Sequence, residues 1–138
     1  MINEKLTKEL QEQITENKDD ITENKKDINK LYDIQYISYT SGTDLKPTFN
    51  CYAEIYLSFS GWSYAGQESV VTINNSQGNA TQIAKADSGV RGHDTVPDAG
   101  MCIAVYKLNA NTTYKFAYSG FNGGRIAANM LIKLIPIK

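Results

Sequence analysis

The chain has 138 residues and a mass of 15.3 kDa, enough for one domain or for a small domain with an appendage. Its 14 Lys+Arg and 15 Asp+Glu leave a net charge of −1, which excludes a general nucleic-acid binder with its usual basic surplus. No apolar run approaches the roughly 20 residues that span a bilayer, Met1–Lys5 has no apolar core of a signal peptide, and mean hydropathy is −0.40, so a soluble chain without membrane insertion is expected.

Composition divides the chain near Gln35. Residues 1–35 hold no Gly, no Pro and one aromatic, Tyr32, with 6 Lys against 9 Asp+Glu. Residues 36–138 hold all 10 Gly, all 3 Pro and 13 of the 14 aromatics. The first part has the composition of an isolated helix and the second that of a β domain with Gly-marked turns. The expected organisation is a coiled-coil stalk over 1–35 and a β head over 36–138.

In the stalk, Ile2, Leu6, Leu10 and Ile14 are spaced by four residues. From Ile14 through Asn17, Ile21, Asn24, Ile28 and Leu31 the spacing alternates three and four, a heptad. Ile14, Ile21 and Ile28 take position a; Asn17, Asn24 and Leu31 take position d. The change of spacing near Ile14 is a stutter. Asp20 and Asp27 fall at g, Lys18 and Lys25 at e, so Asp20 can reach Lys25 of a neighbouring copy. The helix would be about 50 Å long. A stripe this narrow calls for partner helices; the alternative is a solvated helix lying on the head.

The segment Ile14-Thr15-Glu16-Asn17-Lys18 recurs as Ile21-Thr22-Glu23-Asn24-Lys25. Buried Asn costs stability and fixes register or oligomer state. This Ile-x-x-Asn repeat resembles the stalks of trimeric autotransporter adhesins and the coiled coils of phage fibres. The resemblance implies a parallel homotrimer in which the inward amides of Asn17 and Asn24 surround an anion, usually chloride. The residue after each Asn is Lys here rather than Thr, a departure that bears on the anion. The alternative is that the amides bond one another or water. No other cofactor is implied.

The head alternates as strands do. In Tyr52–Phe59, Ala53, Ile55, Leu57 and Phe59 share one face while Tyr52, Glu54, Tyr56 and Ser58 share the other. Further strands are expected at Gln35–Thr40, Ser69–Asn74, Ala80–Ala86, Met101–Leu108, Thr113–Ser119 and Asn129–Ile137. Ser-Gly, Asn-rich and Gly-rich turns separate them, and no helical period follows residue 40. The fold class is an N-terminal α-helical coiled coil plus an all-β, jelly-roll-like sandwich. A hairpin about Asn109-Ala110-Asn111 followed by the apolar Met130–Ile137 resembles the C1q/TNF-like heads that cap trimeric stalks. That resemblance implies that the Tyr-rich face of Tyr52–Phe59 and the last strand pack between heads at the threefold axis.

Chemistry candidates are few. Cys51 and Cys102 read either as a disulfide or as two buried thiols acting as small apolar residues. His93, the single histidine, lies in a charged Gly/Pro loop over Asp87–Asp98 and could hold a metal with Asp94 and Asp98, but adjacent ligands in one loop do not make a metal centre, and none is assigned. Ser88, His93 and Asp94 lack a nucleophile-elbow pattern, and the Gly-rich Gly120–Arg125 has no helix behind it to cradle phosphate. No enzyme is expected. Trp62 and Tyr64, with Arg91, His93, Asp94, Phe121 and Arg125 on other loops, offer the aromatic stacking and polar groups of a glycan site. Trp62 reads equally as a plug at one end of the core. The expected function is a homotrimeric phage tail-fibre or receptor-binding module at the virion surface, joined to other virion proteins at its N-terminal end and presenting loops to a host glycan or protein. The alternative is a purely structural virion protein, such as a head fibre, decoration or baseplate trimerisation module. A depolymerase tip lacks paired acids at any recognisable site.

Overall fold

The computed structural model describes residues 2–31, 33–64, 66–92, 97–122 and 126–137. The chain divides into two compact units, Met1–Asp33 and Ile34–Lys138.

The first unit is helix α1, Ile2–Leu31. Thirty residues without Gly or Pro meet no helix breaker. Glu4 in the first turn lies at the positive end of the helix dipole. Three threonines, which otherwise compete with helix, are satisfied inside it: the hydroxyls of Thr7, Thr15 and Thr22 donate to the carbonyls of Asn3, Gln11 and Lys18.

Among the described residues the second unit is a sandwich of eight strands, β1 Gln35–Tyr39, β2 Cys51–Gly61, β3 Ser69–Gln77, β4 Thr81–Ala86, β5 Ser88–Val90, β6 Asp98–Leu108, β7 Lys115–Ser119 and β8 Ala127–Pro136. One sheet runs β1-β8-β2-β6-β4 and the other β5-β3-β7. All named pairings are antiparallel. This is the expected jelly-roll-like, all-β sandwich behind an N-terminal helix.

Period-two alternation explains the core. Along β2 every second side chain from Cys51 to Phe59 is buried, and the register sets Ile55 beside Ala104 on one flank and Ile132 on the other. From the facing sheet Val71, Ile73 and Phe116 complete the same cluster. Each fully buried Ile, Leu or Phe contributes about 1.5–3 kcal/mol. Tyr39 and Tyr114 are buried with their hydroxyls engaged. Tyr39 donates to the Thr43 carbonyl and accepts the Phe116 N–H at 2.9 Å, while the Tyr114 hydroxyl accepts the Asn109 N–H at 2.8 Å.

Two expectations need correction. Met101–Leu108 and Thr113–Ser119 do not form a hairpin: β6 lies in the five-stranded sheet and β7 in the other. The Asn109–Asn111 turn, with Asn111 at φ +60°, is instead a corner between sheets. It lets Tyr106 and Phe116 meet across the core, with ring centroids 5.0 Å apart. Nor is Asp87–Asp98 wholly a surface loop. Ser88–Val90 pairs with β3, and Val90 is buried because an edge strand carries it inward. The last strand is interior to its sheet. β8 lies between β1 and β2, and its Met130, Ile132 and Leu134 are buried in the core of their own chain.

Cys51 and Cys102 are free and buried on opposite stretches of the β2–β6 pair, opposing Leu108 and Leu57. They act as small core residues. Burial pushes the Cys51 thiol up to about 11. A group protonated when folded loses its stabilising advantage only as pH rises from its ordinary 9.0 towards 11. Thiol titration at neutral pH should therefore find no reactive cysteine in the native chain and two after unfolding.

Candidate interaction site

The first candidate is the stripe on α1. Leu6, Leu10, Ile14, Ile21 and Ile28 are each 51–58% exposed, so five large apolar side chains lie in a row with solvent over them. The Gln13 amide donates to the Asn17 Oδ1 at 3.0 Å, which leaves the Asn17 amide N–H groups free to point elsewhere. The Leu31 side chain lies outside the described residues.

The second candidate is the loop end of the sandwich. The Ser63 N–H donates to the Arg91 carbonyl at 3.2 Å and Ser63 bridges to Gly92, which ties the segment after β2 to the segment after β5. The Ser63 and Ser69 hydroxyls are 2.6 Å apart, and Ser69 donates on to the Gly120 carbonyl. Gly120, at φ +115°, lies so close to β3 that a Cβ there would be 2.0 Å from the Val70 carbonyl oxygen. A serine relay and one glycine thus bring three loops together. Sequence reasoning missed Ser63, Ser69 and Gly120, since isolated Ser and Gly residues carry no periodic signal.

On this framework Tyr64 is 63% exposed and Trp62 is half-buried. Phe121 belongs with the core. Its ring meets Phe59 at 5.2 Å and Tyr118 at 6.0 Å, both edge-on, and it is partly buried against the core. The Arg91 guanidinium is exposed and reaches Asp98 at 3.5 Å, while its backbone N–H donates to the same carboxylate at 2.6 Å. Arg91 and Asp98 also line a cleft of about 400 Å³ with Glu68, Ser69, Val70, Gly89, Val90 and Ala99. Trp62 and Tyr64 are not among its lining residues. The structure therefore unites Arg91 with acidic neighbours, and does not bring the proposed aromatic stacking surface into the same cleft. His93, Asp94 and Arg125 lie outside the described residues. Among the described residues no three His, Cys, Asp or Glu side chains cluster as metal ligands, and no helix is long and apolar enough to cross a membrane.

A helix followed by an all-β sandwich of two antiparallel sheets defines a protein of the jelly-roll-like class. Residues 33–136 match the family model described as major structural protein 1, jelly-roll domain, and the chain belongs to that family. The family's description is that of a structural protein. No curated protein matches the sequence. Among solved structures, the tripod from the baseplate of bacteriophage Tuc2009 is similar in fold, with a TM-score of 0.62 and 24% identity. The match covers 75% of this chain and 64% of that one, so this chain spans less than two thirds of the tripod chain.

Proposed function

We propose that this chain is a homotrimeric structural protein of a bacteriophage particle, in which α1 holds three copies in parallel register and the head builds part of the particle surface. The exposed heptad stripe with its two Asn layers carries this reading. One helix cannot bury such a seam, and Ile at a with Asn at d suits a register-fixing trimer. The fold likeness to a phage baseplate component supports the setting. It favours a baseplate or head-fibre role with other virion proteins as partners, met at the N-terminal end of the stalk. Sedimentation of the full chain at micromolar concentration should give a mass three times 15.3 kDa. A monomer or a dimer would overturn the proposal.

A second reading, attachment to a host-surface glycan or protein, is favoured by one observation, the exposed Tyr64 beside half-buried Trp62 at the loop end. Three weak copies on one trimer would gain by avidity. Binding of the intact trimer to host cells, lost in Tyr64→Ala, would support attachment; no binding to cells or to a glycan array leaves the structural role.

A further inference from the structure

We propose that the head carries a binding cleft for an uncharged sugar at the place where β1 leaves its sheet. The proposal goes beyond the attachment reading. It uses neither Trp62 nor Tyr64, and it holds for one head whether or not the chain is a trimer.

The cleft arises from a change of sheet. β1 pairs with β8 only as far as Tyr39, opposite Met130. Beyond Tyr39 the chain crosses to the other sheet, where the Gly42 N–H donates to the Phe116 carbonyl of β7 at 2.8 Å. The crossing is tied down. The Thr43 N–H and hydroxyl both donate to the Thr40 carbonyl, at 3.1 and 2.7 Å. The Tyr39 hydroxyl donates to the Thr43 carbonyl and accepts the Phe116 N–H. β8, however, runs on. Ala127, Ala128 and Asn129 still pair with Ser60, Phe59 and Ser58 of β2. Among the described residues, this stretch of β8 has a strand on one side only. Alternate residues of an antiparallel strand turn both backbone groups to opposite sides. At least one N–H and one C=O therefore face the side that β1 has vacated.

A cleft of about 550 Å³ is lined by Thr40 and Ser41 of the crossing, by Ala128 and Asn129 of the open edge, and by Tyr118 of the facing β7. Small-molecule sites span roughly 300–1,000 Å³. Tyr118 is half-buried, and its ring is held edge-on to Phe121 at 6.0 Å. Ser41 and Asn129 are exposed. Neither their side chains nor the Tyr118 hydroxyl makes a hydrogen bond to any described residue, so all three can serve a ligand.

The chemistry of the wall selects that ligand. None of the lining residues is charged, so an ionic ligand would enter without a counter-charge. The cleft beside Arg91, with Glu68 and Asp98, differs on this point. A tyrosine ring set among hydroxyl, amide and backbone groups suits a pyranose, whose hydroxyls surround an apolar C–H face. A peptide strand added to β8 fits less well, because the edge is open only over Ala127–Asn129 and β1 occupies it from Met130 onwards. The tied-down wall needs little ordering on binding. At the efficiency of ordinary small ligands, one hexose unit would bind with a Kd on the order of millimolar.

Both native thiols are buried, so Ser41→Cys gives the full chain one reactive thiol at the wall of the cleft. Maleimide labelling is followed with methyl glycosides of glucose, galactose, mannose, rhamnose and N-acetylglucosamine, each at about ten times this Kd. At least one should slow labelling about tenfold. The same glycoside should not slow labelling of Met101→Cys, on β6 at a position 65% exposed. Adding Asn129→Ala to Ser41→Cys should weaken the protection, and adding Tyr64→Ala should not. Protection by the glycoside alone supports a free sugar as the source, and protection by its polysaccharide as well supports a unit within a chain. Labelling that no glycoside slows overturns the proposal, as does equal slowing by glucuronate or at Met101→Cys. Slowing by an extended peptide and by no glycoside overturns it in favour of strand addition. Protection lost with Tyr64→Ala overturns this site and leaves the attachment reading standing.

Discussion

Phe116→Ala is expected to destabilise the head by about 3–5 kcal/mol, the range for deleting a large aromatic side chain from a closed core. Phe116 is fully buried on β7. Its ring is tilted 5.0 Å from Tyr106, edge-on 6.5 Å from Tyr39 and stacked 6.4 Å from Tyr114. These neighbours come from β1, from β6 and from the bridge residue just before β7, so no single one can collapse into the space. Two of the three are tyrosines whose hydroxyls are tied to backbone, Tyr39 to the Phe116 N–H and Tyr114 to the Asn109 N–H. They cannot swing inward without breaking those bonds. A domain of this size has a total stability of about 5–15 kcal/mol, and each kcal/mol moves its melting midpoint by roughly 4–8 °C. The midpoint followed by near-ultraviolet tyrosine circular dichroism should therefore fall by about 12 °C or more. Phe116→Leu, which keeps most of the volume, should lose less than half as much. Equal losses in both variants would mean that ring geometry, rather than filled volume, holds the two sheets together.

The same packing shows why some features were readable in the sequence and others were not. The alternation in Tyr52–Phe59 was legible because β2 is central, with one face sealed in the core and the other turned outward. The helix was legible because thirty residues without Gly or Pro allow little else. The corner at Asn109–Asn111 was misread as a hairpin because an Asn-rich turn serves both, and the choice is made by Tyr106, Tyr114 and Phe116 meeting across the core. β5 escaped because three residues, of which only Val90 is apolar, carry no measurable period. The core contacts of Phe121 were illegible for a related reason. An aromatic in a Gly-rich loop looks alike whether it faces solvent or closes an edge of the core, and only its contacts with Phe59 and Tyr118 decide. Leu131, Tyr56 and Ile103 lie far apart in the chain and become neighbours only through β8-β2-β6 pairing.

Ile21→Asp should abolish assembly. In the proposed trimer Ile21 sits at a, between layers of Asn17 and Asn24, and its side chain is 53% exposed on one helix alone. In a trimer the substitution would bring three carboxylates to the axis. An unpaired buried charge costs several kcal/mol, so the cost of three exceeds what one layer of isoleucines can return. Sedimentation at micromolar concentration should move from trimer to monomer. Far-ultraviolet helicity should fall with it, because a polar helix that has lost its partners has little to hold it. Glu23→Gln, two positions along on the outer surface of the bundle, should change neither measurement. Asn24→Ile separates stability from specificity. It removes a polar layer, so the stalk should melt at higher temperature, and it removes the register device, so more than one assembly size should appear. A chain that remains trimeric as Ile21→Asp would show that the seam on α1 does not hold the copies together. A single sharp trimer from Asn24→Ile would show that the asparagines do not set their number.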